Sequence, residues 1–381
     1  LLPWLIRSGP RVFAPFFLPI PCMSPDASNP SNADPTIDPT PADPTPEDRT
    51  GADRETIRWG IIGTGAIARL FAEDLALVDG ADLAAVGSRR QETADAFAET
   101  FDVPVAHGSY DALVEDASVE VVYIATPHAR HAQDATMAIR AGKHVLCEKA
   151  FAMNAAEARR MVEAARAADC FLMEAMWTRF LPTITEVRRL VRDGAIGPVR
   201  TVYADISTVR PTDPEDRLFA RELGGGTLLD LGVYPIAFAF DLFGPPDAMT
   251  SSAQMGATEV DEQSAAILTY DAGLQVVWQA SFRADAGRSL TLAGPEGRLH
   301  CRRDWWKGAP FTWIPRDGEE RTIGAAPEGN GYQFEIAHVG RCLRDGRTES
   351  PVMPLDESIA IMETMDALRA DWGLTYPNDD A

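Results

Sequence analysis

Lysine is nearly missing from this chain. Only Lys143, Lys149 and Lys307 occur, against thirty-two arginines in a total of 35 basic residues. Positive charge as a whole is short, and the formal net charge is −22. Nucleic acids and anionic membrane surfaces are bound through a basic face, so neither is expected as a partner. Cysteine is also sparse. Cys22, Cys147, Cys170, Cys301 and Cys342 are odd in number and far apart, with no C-x-x-C among them. That spacing excludes a disulfide framework and a zinc knuckle; no metal site is expected, and a reducing cytoplasm suits the chain. The apolar opening LLPWLIRSGPRVFAPFFLPIPC is interrupted by Pro3, Pro10, Pro15, Pro19 and Pro21, carries Arg7 and Arg11, and lacks an A-x-A site and a twin arginine. It therefore does not read as a signal peptide or membrane helix.

What is present describes an ordinary globular protein. Hydrophobic residues make up 45% of 381, enough for a large core and long enough for two domains. Residues 1–55 stand apart. Asp-Pro-Thr recurs three times after Met23, in a stretch too polar to offset its own ordering entropy, so a disordered acidic tail is expected there. Translation from Met23 is one reading of this junction, and a chain that includes the apolar opening is the other.

From residue 56 the pattern becomes strand, glycine turn, helix. IRWGII is followed by Gly63, Thr64, Gly65, Ala66, Ile67 and Ala68, in G-x-G-x-x-A spacing. Gly63 permits the tight turn, Gly65 leaves room for a pyrophosphate, and Ala68 lets helix and strand pack closely. The free N–H groups of the helix start face the phosphates. Dinucleotide binding is expected, with a merely structural turn as the alternative. A second strand, Leu83 to Val86, ends in Gly87-Ser88-Arg89-Arg90. An NAD site usually has a carboxylate there to hold the ribose 2′-hydroxyl. Ser88 and Arg89 instead suit a 2′-phosphate, which favours NADP over NAD; solvated arginines are the plainer alternative. Further βα units end in Thr126-Pro127-x-x-x-His131 and in Glu148-Lys149. Ligands of a doubly wound sheet lie beyond such strand ends, so these residues are expected to line one cofactor crevice. Lys149 is notable because a lysine, unlike an arginine, has a pKa that surroundings can move.

The division expected is 56–175 for a nucleotide-binding domain and 176–381 for an α+β domain that binds substrate and supports oligomerisation. At the junction Trp177, Arg179 and Phe180 bunch together, as pocket wall or as core. In ELGGGTLLDLGVYPIAFAFDLFG, Gly224 to Gly226 read as a flexible entry to an apolar helix that Asp230 and Tyr234 interrupt at i and i+4. A buried Asp needs a partner. A nearby ammonium would lower the tyrosine pKa, so Tyr234 and Lys149 suggest an acid/base couple for hydroxyl-to-carbonyl chemistry. A capping Asp and a packed Tyr are the alternative. TVYADIS, EQSAAILTYD, LQVVWQASF, RSLTLAG and GRLHCRR then read as strands of a largely antiparallel sheet, with helices at about 332–344 and 356–370.

Together, GTGAIA, ATPHARH, AGKHVLCEKA, LMEAMWTRFLP, GGGTLLDLGVYPI, LAGPEGRL and ESPVMPLDES resemble the glucose–fructose oxidoreductase/inositol dehydrogenase (Gfo/Idh/MocA) family. The likeness runs over residues 57–377 and is nearest to its dimeric dihydrodiol dehydrogenase and NADP-dependent D-xylose 1-dehydrogenase group. The resemblance implies a Rossmann domain followed by a domain whose open sheet forms a dimer contact. It also implies NAD(P) and a sugar, polyol or dihydrodiol substrate. It assigns Lys149 to the nicotinamide ribose and the reacting hydroxyl, Asp230 and Tyr234 to the substrate, and His131 to the neighbourhood of the nicotinamide. The chain departs from the family where its proline after Glu-Lys is Ala150. The expected activity is NADP-dependent oxidation of a xylose-like aldose or vicinal diol. Its rivals are an inositol or amino-sugar dehydrogenase, an enzyme that keeps its cofactor for internal redox cycles, and a non-enzymatic NADP-binding regulator.

Overall fold

In the computed structural model the described residues are 56–380; the tail assigned to 1–55, with its Met23 junction, lies outside them. The first half alternates strands and helices: β1 (Ile57–Ile62), α1 (Ala66–Leu75), β2 (Ala81–Gly87), α2 (Gln91–Phe101), β3 (Val105–His107), α3 (Tyr110–Val114), β4 (Val121–Ile124), α4 (His128–Arg140), β5 (His144–Glu148), α5 (Ala155–Ala168) and β6 (Leu172–Ala175). The six strands are parallel, in the order β3-β2-β1-β4-β5-β6. β4 and the last four residues of β5 are buried throughout, as expected of parallel strands shielded on both faces. The strand order reverses between β1 and β4, which opens a crevice at their carboxyl ends. On α1, Phe71 and Leu75 are buried, while Leu70 is 36% exposed.

The chain then forms α6 (Pro182–Arg192), β7 (Thr201–Ser207), α7 (Val233–Phe243), β8 (Ala248–Met255), β9 (Asp261–Thr269), β10 (Gln275–Ser281), β11 (Leu290–Gly294), β12 (Gly297–Cys301), β13 (Phe311–Pro315), β14 (Arg321–Ile323), α8 (Gln333–Arg344) and α9 (Leu355–Trp372). The second sheet has the order β14-β13-β12-β11-β7-β10-β9-β8. Only β7 and β10 pair in parallel; every other pair is antiparallel. Its strands alternate. In β9, Ala266 and Leu268 are buried while Ala265 and Ile267 face outward. One face is therefore core and the other open. β8, β13 and β14 lie outside the segments that alternation had suggested as strands. β8 alternates between half-buried and exposed residues at the sheet edge and offers little apolar signal.

The glycine run is packed tightly, contrary to a flexible entry. Gly224, Gly225 and Gly226 admit the chain between crowded neighbours. Gly226 has φ +117°, and a Cβ there would meet Asp261 Oδ1 at 2.1 Å. Tyr376 donates its hydroxyl to Gly225 O at 2.6 Å, and Arg221 Nε donates to Thr375 O at 2.7 Å, so the chain end pins this segment. The helix beyond also begins irregularly. Leu228–Gly232 is a π turn, in which the Val233 N–H reaches back to Leu228 O. Such turns often occur at functional sites, and this one carries Asp230.

Candidate active site

A cavity of about 720 Å³ runs from the glycine turn to the second sheet. At one end stands the α1 start. Gly63 has φ +106°, and a Cβ there would come within 2.7 Å of Ala125 O, so only glycine makes this turn comfortably. A Cβ on Gly65 would meet nothing within 4 Å; it would project into open space beside the helix N-terminus. No side chain caps that terminus and no acidic residue sits in its first turn. Its N–H groups are thus available to a phosphate. Thr64, Ala66 and Ile67 line the same wall, and Ser88 and Arg89 line the next strand end. Ser88 Oγ and Thr93 Oγ1 are 2.5 Å apart. Two residues not anticipated join them here, Tyr110 and Arg130, with the Arg130 guanidinium 5.9 Å from the Tyr110 ring centre. An open glycine turn, an uncapped helix start and an arginine in place of the ribose carboxylate fit a phosphorylated dinucleotide.

Beyond β4, Thr126, Pro127 and His131 line the cavity floor. Thr126 donates to Asp134 at 2.9 Å. The His131 ring spans two carbonyls, with Nδ1 2.8 Å from Ala150 O and Nε2 2.9 Å from Thr126 O. It ties the end of β4 to the peptide after Lys149. Burial lowers its pKa and that of His128, the latter to about 3. His128, another unanticipated lining residue, has its Nδ1 3.1 Å from Gly224 O and joins the cofactor half to the glycine run. The Lys149–Ala150 peptide is cis. Glu148 lines the crevice and accepts hydrogen bonds from the buried Tyr123 hydroxyl and, at 3.1 Å, from the Lys149 N–H. Burial raises its pKa despite the neighbouring ammonium.

Lys149 meets the second half here. Its Nζ donates to Asp230 O at 2.8 Å, lies 3.5 Å from Asp230 Oδ1 and stands 4.8 Å from the Tyr234 ring centre. Arg217 Nη1 lies 3.1 Å from the same Asp230 oxygen. Burial alone would raise the Asp230 pKa; Lys149 and Arg217 overcome it and hold the carboxyl well below its usual range. Burial pulls the Lys149 pKa down, but Tyr234, Asp230 and Glu148 together carry it above its ordinary value. The buried Asp thus has two cationic partners, and the lysine remains charged.

Tyr234 differs from expectation. Burial raises its pKa above 10, outweighing the lowering by Lys149. The ammonium faces its ring, and it is Trp177 that contacts the hydroxyl: Trp177 Nε1 donates to it at 3.1 Å. The indole occupies an acceptor site on the phenol oxygen and leaves the phenol proton free to face the cavity.

The junction residues part company. Trp177 stands behind Tyr234, stacked on Tyr332 with ring centres 4.9 Å apart. Arg179 is buried away from the cavity, paired with Glu357 and donating to Ala237 O at 2.8 Å and Val352 O at 3.2 Å. Phe180 packs its ring 4.8 Å from His338. Arg179 and Phe180 are therefore structural neighbours of the site and do not line it. Toward the second sheet the cavity is lined instead by Trp306, Lys307, Arg210, Arg217 and Arg288. None belongs to a local motif; Arg210 and Arg217 lie in the loop between β7 and the glycine run.

Among the described residues no group of three or more His, Cys, Asp or Glu side chains is placed to hold a metal ion. One helical run, Arg221–Phe243, is long and apolar enough to cross a membrane, and 78% of its apolar window is buried within the fold.

Comparison with known proteins agrees with this architecture. The oxidoreductase family model GFO_IDH_MocA, NAD-binding Rossmann fold, matches residues 57–176, and the GFO/IDH/MocA C-terminal domain matches 184–300. The chain is 33% identical over 365 residues to D-xylose 1-dehydrogenase (NADP(+)) of Hypocrea jecorina, covering 84% of this chain and 93% of that one. It is 35% identical over 340 residues to trans-1,2-dihydrobenzene-1,2-diol dehydrogenase of Mus musculus, covering 85% and 99%. The crystal structure of an aldose-aldose oxidoreductase from Caulobacter crescentus, complexed with glycerol, superposes with a TM-score of 0.76 at 26% identity over 83% of this chain and 97% of that one. A 3-ketoreductase from Actinomadura kijaniata, in complex with NADP and TDP-benzene, gives 0.75 at 27% identity over 83% and 98%. With a parallel nucleotide-binding sheet, a second mixed sheet and both family regions matched in order, the chain belongs to the Gfo/Idh/MocA family of oxidoreductases.

Proposed function

We propose that this oxidoreductase uses NADP in preference to NAD and oxidises a hydroxyl of a sugar or vicinal diol, a xylose-like aldose first and a trans-dihydrodiol second. The observation that carries the reading is the meeting of Lys149, Asp230 and Tyr234 on one wall of the cavity that also contains the glycine turn, Ser88 and Arg89. The D-xylose and dihydrodiol dehydrogenases among its relatives support the same substrate range.

A bound nicotinamide supplies the hydride acceptor. Ser88 and Arg89 hold the 2′-phosphate, and the α1 start holds the pyrophosphate. His131 fixes the peptide beside Lys149. Tyr234 takes the hydroxyl proton as C–OH becomes C=O, and returns it in the reverse direction. Lys149 stabilises the phenolate and donates to the reacting oxygen. Asp230 holds the ammonium in place with Arg217 as its second partner. The half before residue 176 serves the cofactor, and the half after it the substrate. We also propose a cytoplasmic homodimer or larger homo-oligomer. Tyr203, Val277 and Ile267 are neighbours on three adjacent strands, and Tyr203 and Ile267 are 57% and 39% exposed. This open row is the apolar surface a second copy would cover. Sedimentation of Tyr203→Glu as a monomer beside an associated parent would support that contact; an unchanged mass would refute it.

The test of the activity is reduction of NADP, and separately of NAD, by D-xylose, D-glucose, inositol and a trans-dihydrodiol. Turnover with NADP and a sugar or diol is expected. NADP bound without turnover of this panel and of its carboxylate- and phosphate-bearing aldose counterparts would reject the dehydrogenase reading.

A further inference from the structure

The substrate end of the cavity is built from donors. Lys149, Arg210, Arg217, Arg288 and Lys307 all line it on the second-sheet side, in a protein of net charge −22. Acceptors there are fewer: the hydroxyls of Ser207, Thr208 and Tyr234 and the carboxylates Glu148 and Asp230, with no Asn or Gln in the lining. Both carboxylates already accept from protein donors, Glu148 from Tyr123 and Asp230 from Arg217 beside Lys149. A neutral polyol presents hydroxyls that both donate and accept, whereas an anion draws on donors alone, which dominate this wall.

The cations are not equivalent. Arg217 is committed to Asp230 at 3.1 Å, and Arg288 to Asp304 at 2.9 Å. Arg210 and Lys307 have no side-chain hydrogen bond or ion pair among the described residues. Both are exposed residues that line the second-sheet side of the cavity. The Arg210 N–H donates to Phe282 O at 2.9 Å, which sets its segment beside the end of β10. Lys307 ends a short helical turn whose preceding residue, Trp306, has its ring 6.3 Å from that of Tyr234. The cofactor phosphates have their own donors at the opposite end, at the α1 start and at Ser88 and Arg89. Two unpaired cations on the cavity wall that also carries Tyr234 therefore remain for the substrate. A cleft of sign opposite to the whole molecule also concentrates anions within it.

Resting on the dehydrogenase reading above, we propose that within its aldose range the site prefers a sugar that also bears a carboxylate or phosphate group, held by Arg210 and Lys307 while the reacting hydroxyl faces Tyr234. Neutral aldoses such as xylose would still react, but would bind more weakly because they leave this pair unfilled.

The test is calorimetric titration of the NADP-loaded full chain with D-glucuronate, D-glucose-6-phosphate and D-glucose. At low ionic strength at least one anion is expected to bind about tenfold or more tightly than glucose, a margin that shrinks as salt screens the charges. Whichever anion prevails distinguishes a carboxylate site from a phosphate site. In Arg210→Ala/Lys307→Ala the margin should collapse toward unity, with NADP affinity measured separately to verify the cofactor end. Equal binding of glucose and both anions, binding of none of the three, or an anion preference that survives the double variant would each overturn the proposal. Cofactor reduction is followed in parallel. Anion binding without reduction of NADP by any of the three would leave the anion site standing and count against the dehydrogenase reading alone; turnover of glucose without anion preference would do the reverse.

Discussion

The two ends of the cavity were assembled in different ways. At the cofactor end most lining residues lie in the turns and first helical residues after parallel strands, so one short motif places a backbone turn, a helix start and a side chain together. At the substrate end Arg210, Asp230, Arg288 and Trp306 come from separate segments of the second half and meet only through the fold. The first end is specified by local chemistry and the second by tertiary structure. One consequence is functional: the cofactor end is committed to phosphates by its backbone, while the substrate end is set by side chains that substitution can exchange.

The largest effect should come where the ends meet. Tyr234→Phe and Lys149→Met should each lower kcat by about 10²–10⁴-fold, the range of a lost acid/base group. NADP affinity should change far less for Tyr234→Phe, and equal losses in both quantities would remove the tyrosine from the chemistry. The pH profile sharpens the assignment. Burial holds the Tyr234 pKa above 10, so the phenolate fraction rises about tenfold per pH unit below that value. Oxidation should therefore accelerate with pH through the neutral and mildly alkaline range. Reduction uses the phenol, already protonated, and should stay flat there. A flat oxidation profile from the parent enzyme would show that the tyrosine proton is not transferred in the limiting step.

This same contrast decides what could be read without coordinates. The parallel sheet was legible because its strands are buried on both sides and its turns obey glycine spacing. Lys149, Asp230 and Tyr234 were legible because charge or hydroxyl interrupts an apolar run. Arg179 misled for a related reason. It lies near the junction in sequence, but its guanidinium turns away to Glu357 and to two carbonyls, satisfying the core. Arg288 and Lys307 gave no signal, since a basic residue in a loop reads as solvated until the fold brings it to a wall. The tyrosine pKa was misjudged because an ammonium can be counted in a motif, whereas the depth of burial opposing it cannot.

A second way to strain the comparison is through the tightly packed glycine segment. Gly226→Ala would force a Cβ onto Asp261 at a positive φ and should destabilise by roughly 2–3 kcal/mol. Gly373 also has positive φ, at +69°, but an added Cβ there would meet nothing within 4 Å. Gly373→Ala should thus cost only about 1 kcal/mol. Urea unfolding of the two variants measures the difference, and equal losses would mean that the Asp261 contact yields without cost.

At the cofactor end alone, Arg89→Ala should weaken NADP by about tenfold, the cost of one charge-assisted phosphate contact, and leave NAD nearly unchanged. Parallel losses for both cofactors would move Arg89 from the 2′-phosphate to a general role in the fold.

The smallest effect should come from behind the substrate end. Trp177 does not line the cavity, yet its indole N–H is the hydrogen bond that Tyr234 oxygen accepts, at 3.1 Å. That bond strengthens as the oxygen gains charge, so it favours the phenolate and with it the oxidation direction. Trp177→Phe keeps a ring to stack on Tyr332 and removes only the donor. A neutral hydrogen bond contributes about 1 kcal/mol, so oxidation near neutral pH should slow about threefold to tenfold. The alkaline rise should move to higher pH by a corresponding amount, because the phenol is harder to ionise. Reduction, which starts from the phenol, should be affected less. A purely structural tryptophan would instead lower the unfolding midpoint and leave the pH profile where it was, so the displacement of that profile separates positioning from packing.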